Sequence, residues 1–168
     1  GPAIASILAA EKLAPLNIRD VRKISVEIHQ LAKNNTAPGE PPWPLRSRED
    51  ADHSTPYLIA ATLRDGTLTL RSFDDAHLND PDLRALMQKV EVVVNPQFTH
   101  AYEHLPQRHC ARLTVMTASG EKFVAEAGGD ADDLAAPRTD AQIEQKFREM
   151  TEDYLGAKQA HVILQRLW

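Results

Sequence analysis

His53, Ser54 and Tyr57 stand close together in the stretch Asp52-His-Ser-Thr-Pro-Tyr-Leu-Ile-Ala-Ala-Thr-Leu-Arg-Asp-Gly66. An imidazole titrates near neutral pH and can take or give a proton, and a phenol can donate one or hold an anionic oxygen. How the two groups are placed turns on Pro56, which lacks a backbone donor. If a helix runs through it, His53 and Tyr57 lie one turn apart on one face. If the chain breaks there, Ser54 or Thr55 caps a second helix with Pro56 in its first turn. The plainer alternative to catalysis is a His–Tyr pair that satisfies its own polar groups at a helix break. Just upstream, Arg46 and Arg48 carry the forked donors that carboxylates take. Glu49, Asp50 and Asp52 stand beside them, and the residues alone favour an exposed charged turn.

His100, His104, His109 and Cys110 invite a metal reading. Their spacing fits no zinc pattern, and neither CxxC nor HExxH accompanies them. Solvated loop histidines are the preferred reading, Cys110 packs as a small apolar group, and no metal or cofactor is expected. The lone cysteine permits no internal disulfide and excludes a self-contained cysteine-ligated iron–sulfur cluster. It fits a reducing compartment, and the cytoplasm is the expected location.

The elements around these residues follow from periodicity and punctuation. Ser47, with Asp50 three residues on, resembles a capping box, and Gly66 is a natural helix stop. Ala3 to Leu13 reads as a helix; its start at the first residues points to chain ahead of it, and Gly1-Pro2 is either native or left by a tag. Val21 to Gln30 is the clearest strand, with Ile24, Val26 and Ile28 on one side and Lys23, Ser25, Glu27 and His29 on the other. That alternation makes His29 a solvated strand residue. Leu31 to Arg46 is a Pro-rich loop in which Trp43 serves either as a lid over a ligand or as an anchor to the core.

Downstream, Thr67 to Phe73 reads as extended, and Pro81 opens a short helix to Val90. Glu91 to Val94 is a strand, and His109–Thr117 with Glu121–Glu126 forms a hairpin. Residues 128–138 make an acidic loop. Thr139 caps a helix to about Leu155 with Ile143, Phe147 and Met150 buried, and Ala157 to Trp168 is a final amphipathic helix. The mixture predicts one α+β domain over residues 1–168: a two-layer sandwich with an antiparallel sheet of about four strands packed by helices.

Composition bounds the partners. A 42% apolar and 26% charged chain is that of an ordinary globular domain. The net charge of −5 argues against nucleic acid, which calls for a basic face. No apolar run reaches the length of a membrane span.

The segment from Asp52 to Gly66 resembles the HS-x-x-Y segment of the MmgE/PrpD family, which includes 2-methylcitrate dehydratase and cis-aconitate decarboxylase. The order of a helix, the strand Ile24-Ser-Val-Glu-Ile28, the Pro-rich loop and this segment is similar too. So are Pro81 to Val94 and Thr139-Asp-Ala-Gln-Ile-Glu-Gln-Lys-Phe-Arg148. The resemblance implies the α+β lid domain of a larger lyase whose helical domain is absent here. It implies His53 and Tyr57 as catalytic groups and Ser54 as a substrate contact. The expected substrate is a small di- or tricarboxylic acid, dehydrated after proton abstraction next to a carboxylate. The expected partners are the missing N-terminal helical domain of the same polypeptide and, through the apolar face it would cover, a second copy in a dimer. The alternative from a different class is a non-catalytic α+β interaction module.

Overall fold

The computed structural model describes residues 2–128 and 137–167. The described residues up to Gly128 form one compact unit and those from Pro137 a second.

The first unit is built on a sheet of four strands, β1 (Val21–Ile28), β2 (Val90–Val94), β3 (Cys110–Thr117) and β4 (Lys122–Gly128), in the order β2-β1-β3-β4. Alternation orients β1: Ile24, Val26 and Ile28 are buried, while Lys23 and Glu27 turn to the other face. A bulge between Val21 and Lys23 breaks the alternation, so Val21 is buried too. β3 and β4 form the expected hairpin.

The expected α+β class holds, with one difference in the sheet. β2 runs parallel to β1, with Ile24 opposite Val90 and Ile28 opposite Val94, so the sheet is mixed. A parallel neighbour needs a crossover instead of a hairpin. The crossover is the long helical segment between β1 and β2, and it carries His53, Ser54 and Tyr57.

That crossover holds α2 (Gln30–Thr36), α3 (Arg48–Asp52), α4 (Thr55–Asp65), a 3-10 turn (Leu70–Phe73), α5 (Asp75–Leu78) and α6 (Pro81–Met87). α1 (Ile4–Glu11) precedes β1, and α7 (Pro96–Glu103) joins β2 to β3. α4 packs between α1 and α6, and α1 and α4 pack on the sheet, with Ala9, Ile59, Leu63, Leu83, Leu86 and Leu113 in the shared core.

α4 is buried at every position from Thr55 to Leu63. It begins where Ser54 Oγ accepts from Tyr57 N, has Pro56 in its first turn, and ends on Gly66 at φ +93°. The chain therefore breaks before Pro56. At α3, Ser47 Oγ accepts from Asp50 N, while the Asp50 carboxylate accepts from Arg46 N, one residue short of a reciprocal box.

Three further expectations fail in this unit, the first being the loop expected from Leu31, whose opening residues up to Thr36 belong to α2. His29 is not a solvated strand residue. β1 stops at Ile28, and His29 caps α2, its Nδ1 accepting from Ala32 N, with the residue 2% exposed. The alternation that placed it outward does not extend past the strand's last residue. Thr67–Phe73 is not extended: Thr69 and Ser72 cap each other reciprocally and wind the 3-10 turn.

The second unit pairs α8 (Asp140–Leu155) with α9 (Ala157–Leu167). Thr139 and Gln142 make the expected capping box at the start of α8. Its expected buried face is only partly so: Ile143 and Met150 remain exposed and Phe147 is half-buried, because two short helices cover little of each other's stripe. Most of the acidic loop, residues 129–136, and Trp168 lie outside the described residues.

Candidate functional site

α3 stands between two openings. The first is a groove of about 250 Å³ bordered by Thr36, Trp43, Glu49, His53 and Ser54. His53 ends α3, and its side chain is 64% exposed. Its Nδ1 lies 3.1 Å from the Glu49 carbonyl oxygen and 3.6 Å from the Glu49 carboxylate. A carbonyl only accepts, so that contact assigns the proton of a neutral ring to Nδ1 and leaves Nε2 as the free basic nitrogen. Ser54 Oγ accepts the Tyr57 amide and keeps its own proton to donate.

Tyr57 points elsewhere. It is fully buried, and its hydroxyl donates to the Ser72 carbonyl. The ring leans on Phe73, with centroids 6.1 Å apart. Burial pushes the phenol up to about 12, against opposing influences from nearby Arg64 and Arg84. The break ahead of Pro56 therefore separates the two groups, with His53 turned out to a groove and Tyr57 turned into the core. They form no His–Tyr pair.

The second opening is a cleft of about 450 Å³ on the other side of α3, lined by Arg46, Arg48, Phe73, Asp74, Leu78 and Arg84 among others. The sequence reading named Arg46 and Arg48 but missed Arg84, which arrives from α6. Its Nε donates to the Leu78 carbonyl at 2.6 Å. Also missed was His77, held between Asp74 (2.9 Å) and Asp65 (3.3 Å). Arg64 continues that chain of charges, reaching Asp65 at 2.8 Å and Asp80 at 2.7 Å. Hydrogen bonds from His77 hold the Asp74 carboxyl below its usual range. Asp74 is a local cap of His77's own helix, but Asp65 reaches His77 from α4 and Arg84 reaches the cleft from α6, so the sequence does not show either at the site.

The remaining candidates divide. Trp43 is an anchor: its Nε1 donates to the Val90 carbonyl at 2.8 Å, and its backbone exchanges hydrogen bonds with the Gln88 side chain. His100 is a residue of α7 and not of a loop, and it lies against His104 just past the helix end, 3.9 Å between centroids. His109 instead meets the edge of Tyr102, which stacks on His29 at 3.9 Å. His29 Nε2 and His109 Nδ1 are buried without a hydrogen-bond partner among the described residues. Burial, and then the neighbouring His109, lowers the pKa of His29. Among the described residues no group of three or more His, Cys, Asp or Glu is placed to hold a metal ion. No described helix is long and apolar enough to cross a membrane.

Comparison with known proteins matches this arrangement to one family. Human cis-aconitate decarboxylase is 30% identical over 107 residues, which is 64% of this chain and 21% of that enzyme. The 2-methylcitrate dehydratase of Salmonella typhimurium is 27% identical over 106 residues, again 21% of its length. The mitochondrial 2-methylcitrate dehydratase of Yarrowia lipolytica is 35% identical over 65 residues, 12% of its length. The matched stretch thus spans about a fifth or less of each of these relatives. The profile of the MmgE/PrpD C-terminal domain runs along residues 2–168, and the chain belongs to that family as its C-terminal domain.

Proposed function

We propose that this chain is the lid-like part of a lyase acting on small di- or tricarboxylic acids, as a 2-methylcitrate dehydratase does, and that it works against a helical domain of the same polypeptide. The observation that carries the reading is the family match along nearly the whole chain, with relatives named 2-methylcitrate dehydratase and cis-aconitate decarboxylase. Dehydration of a hydroxy acid needs a base for the proton next to a carboxylate and an acid for the departing hydroxyl. His53 Nε2 is the base: it is exposed, and its tautomer is set by the Glu49 carbonyl. Ser54, whose hydroxyl proton is uncommitted, contacts a substrate oxygen. Tyr57 is the neutral hydroxyl donor, exchanging the Ser72 carbonyl for a substrate oxygen when the two domains close. The cytoplasm is the proposed location and a dimer the proposed assembly.

The test uses two proteins: the chain alone, and a polypeptide with a family helical domain ahead of it. The chain alone should leave 2-methylcitrate and cis-aconitate unchanged, since proton transfer requires groups within roughly 2.6–3.2 Å of the substrate and one wall is missing. The longer protein should turn over one of them, and His53→Ala should lower its kcat by about 10²-fold or more. Robust turnover by the chain alone overturns the lid reading. An unchanged kcat in His53→Ala removes that residue from the mechanism.

A further inference from the structure

We infer that the cleft between α3, the 3-10 turn and α6 binds a small polycarboxylate anion through the guanidinium groups of Arg46, Arg48 and Arg84. The identity of the anion class rests on the lyase reading; the capacity to bind rests on how the charges are sorted.

In the sequence the acids beside Arg46 and Arg48 look able to neutralise them. In the fold none of Glu49, Asp50 and Asp52 bonds to either guanidinium among the described residues. The Asp50 carboxylate accepts from the backbone N–H of Arg46, at 2.9 Å, and makes no bond to either guanidinium. Glu49 borders the opposite groove, 3.6 Å from His53. The side chains of Arg46 and Arg48 have no hydrogen-bond or ion-pair partner among the described residues. α3 therefore acts as a divider, with Glu49, Asp50 and His53 lining one opening and Arg46 and Arg48 the other.

Arg84 is the anchor of the cleft. It is half-buried, and its Nε is fixed on the Leu78 carbonyl, so the guanidinium plane is held while its two terminal nitrogens remain open. A guanidinium whose orientation is already set loses less freedom when it takes a carboxylate by two parallel bonds. Leu45, Phe73 and Leu78 supply apolar wall for a carbon skeleton. The volume of about 450 Å³ is of the order of small-ligand sites.

Two acids also line the cleft, and they set its selectivity. Asp74 accepts from His77 N at 2.8 Å and meets His77 Nδ1 at 2.9 Å, so its charge is already shared. Asp75 makes no side-chain bond among the described residues and opposes an incoming anion. Three cations against two acids leave a modest surplus, which suits an anion able to reach all three forks and gives little to a compact single-centre one. The cleft is also tied to Tyr57, because the Ser72 carbonyl that accepts its proton immediately precedes the lining residue Phe73.

The experiment is calorimetric titration of the purified chain with citrate, with tricarballylate as a second polycarboxylate and inorganic phosphate as the single-centre anion. The expected result is saturable citrate and tricarballylate binding at least tenfold tighter than phosphate. It should weaken tenfold or more in Arg84→Met and in the double variant Arg46→Gln/Arg48→Gln, and tighten in Asp75→Asn. The double variant lies at exposed positions, so the test stands even if Arg84→Met does not fold. Equal, weak binding of citrate and phosphate overturns the inference, as does citrate binding that ignores the arginine substitutions. Kinetics of the longer polypeptide separate this failure from that of the lyase reading. Turnover by the longer polypeptide, with no arginine-dependent citrate binding by the chain, sinks the cleft alone. Arginine-dependent citrate binding without turnover of any polycarboxylate supports the cleft and sinks the lyase.

Discussion

Tyr57→Phe is the most informative single substitution, because it removes one hydroxyl and leaves the ring in place. The hydroxyl donates to the Ser72 carbonyl; Tyr57 is fully buried and Ser72 is 1% exposed. The substitution opens no sizeable cavity, so packing contributes little. It leaves a carbonyl buried without its donor, which costs about 1–3 kcal/mol. For a unit of this size that is a fall in Tm of roughly 3–12 °C. The phenol sits near 12 in the fold against 10.0 for the free side chain, so it is neutral in both states through the ordinary working range. The loss should therefore be the same at pH 6.5 and pH 8.5. Urea or thermal melts of the isolated chain at both pH values measure it. A loss below about 0.5 kcal/mol would refute the reasoning, because it would mean the Ser72 carbonyl needs no donor. In the longer polypeptide, the rate per folded molecule then divides the two roles. A fall of about 10²-fold supports proton donation, whereas an unchanged rate leaves Tyr57 as a fastener of the Ser72 turn.

Two predictions concern the far end of the sheet. Gly128 sits at φ +87°, and a Cβ built there would lie 1.7 Å from the His109 carbonyl oxygen. Gly128→Ala should lose about 1–3 kcal/mol from the strained backbone alone, with the clash in addition, and near-native melting would contradict the close approach. His29 has a lowered pKa in the fold, so its unfolded form binds a proton first as pH falls. Its contribution is complete above the unfolded value of 6.5 and is lost as the pH drops from there through the folded value. Melts at pH 7.5 and pH 5.5 should show this loss, and His29→Asn, which keeps an acceptor for the Ala32 N–H, should reduce it. An identical pH dependence in that variant would place the titration elsewhere.

Much of the frame was legible in the chain because it is local. The alternation of Ile24, Val26 and Ile28, the hairpin of β3 and β4, and the caps Ser54 and Thr139 each depend on neighbours a few residues away. The direction of β2 was not, since a strand reads the same whether its partner runs parallel or antiparallel, and only the path of the crossover decides. His29 was misplaced by carrying a period of two one residue beyond its strand. The site was legible in identity and not in geometry. His53, Ser54 and Tyr57 could be singled out, and both outcomes at Pro56 were written in the residues. That Tyr57 turns inward depends on Ser72, and the meaning of Arg46 and Arg48 depends on where Asp50 and Glu49 spend their charge. Arg84 reaches the cleft only through tertiary packing.

The hydrogen bond from Trp43 to Val90 has a consequence for how the protein meets other chains. β2 and β4 are the outer strands, and an outer strand offers unpaired carbonyls as a template for a stranger's backbone. The Val90 carbonyl is stoppered by the Trp43 indole, and at the opposite margin Lys12 Nζ occupies the Glu126 carbonyl at 2.8 Å. Each margin is thus guarded by a side chain from a segment outside the sheet. The Pro-rich loop and the end of α1 then have a protective duty that is independent of any substrate. Substitutions at Trp43 or Lys12 would show themselves less in catalysis than in sheet-to-sheet aggregation of the folded molecule.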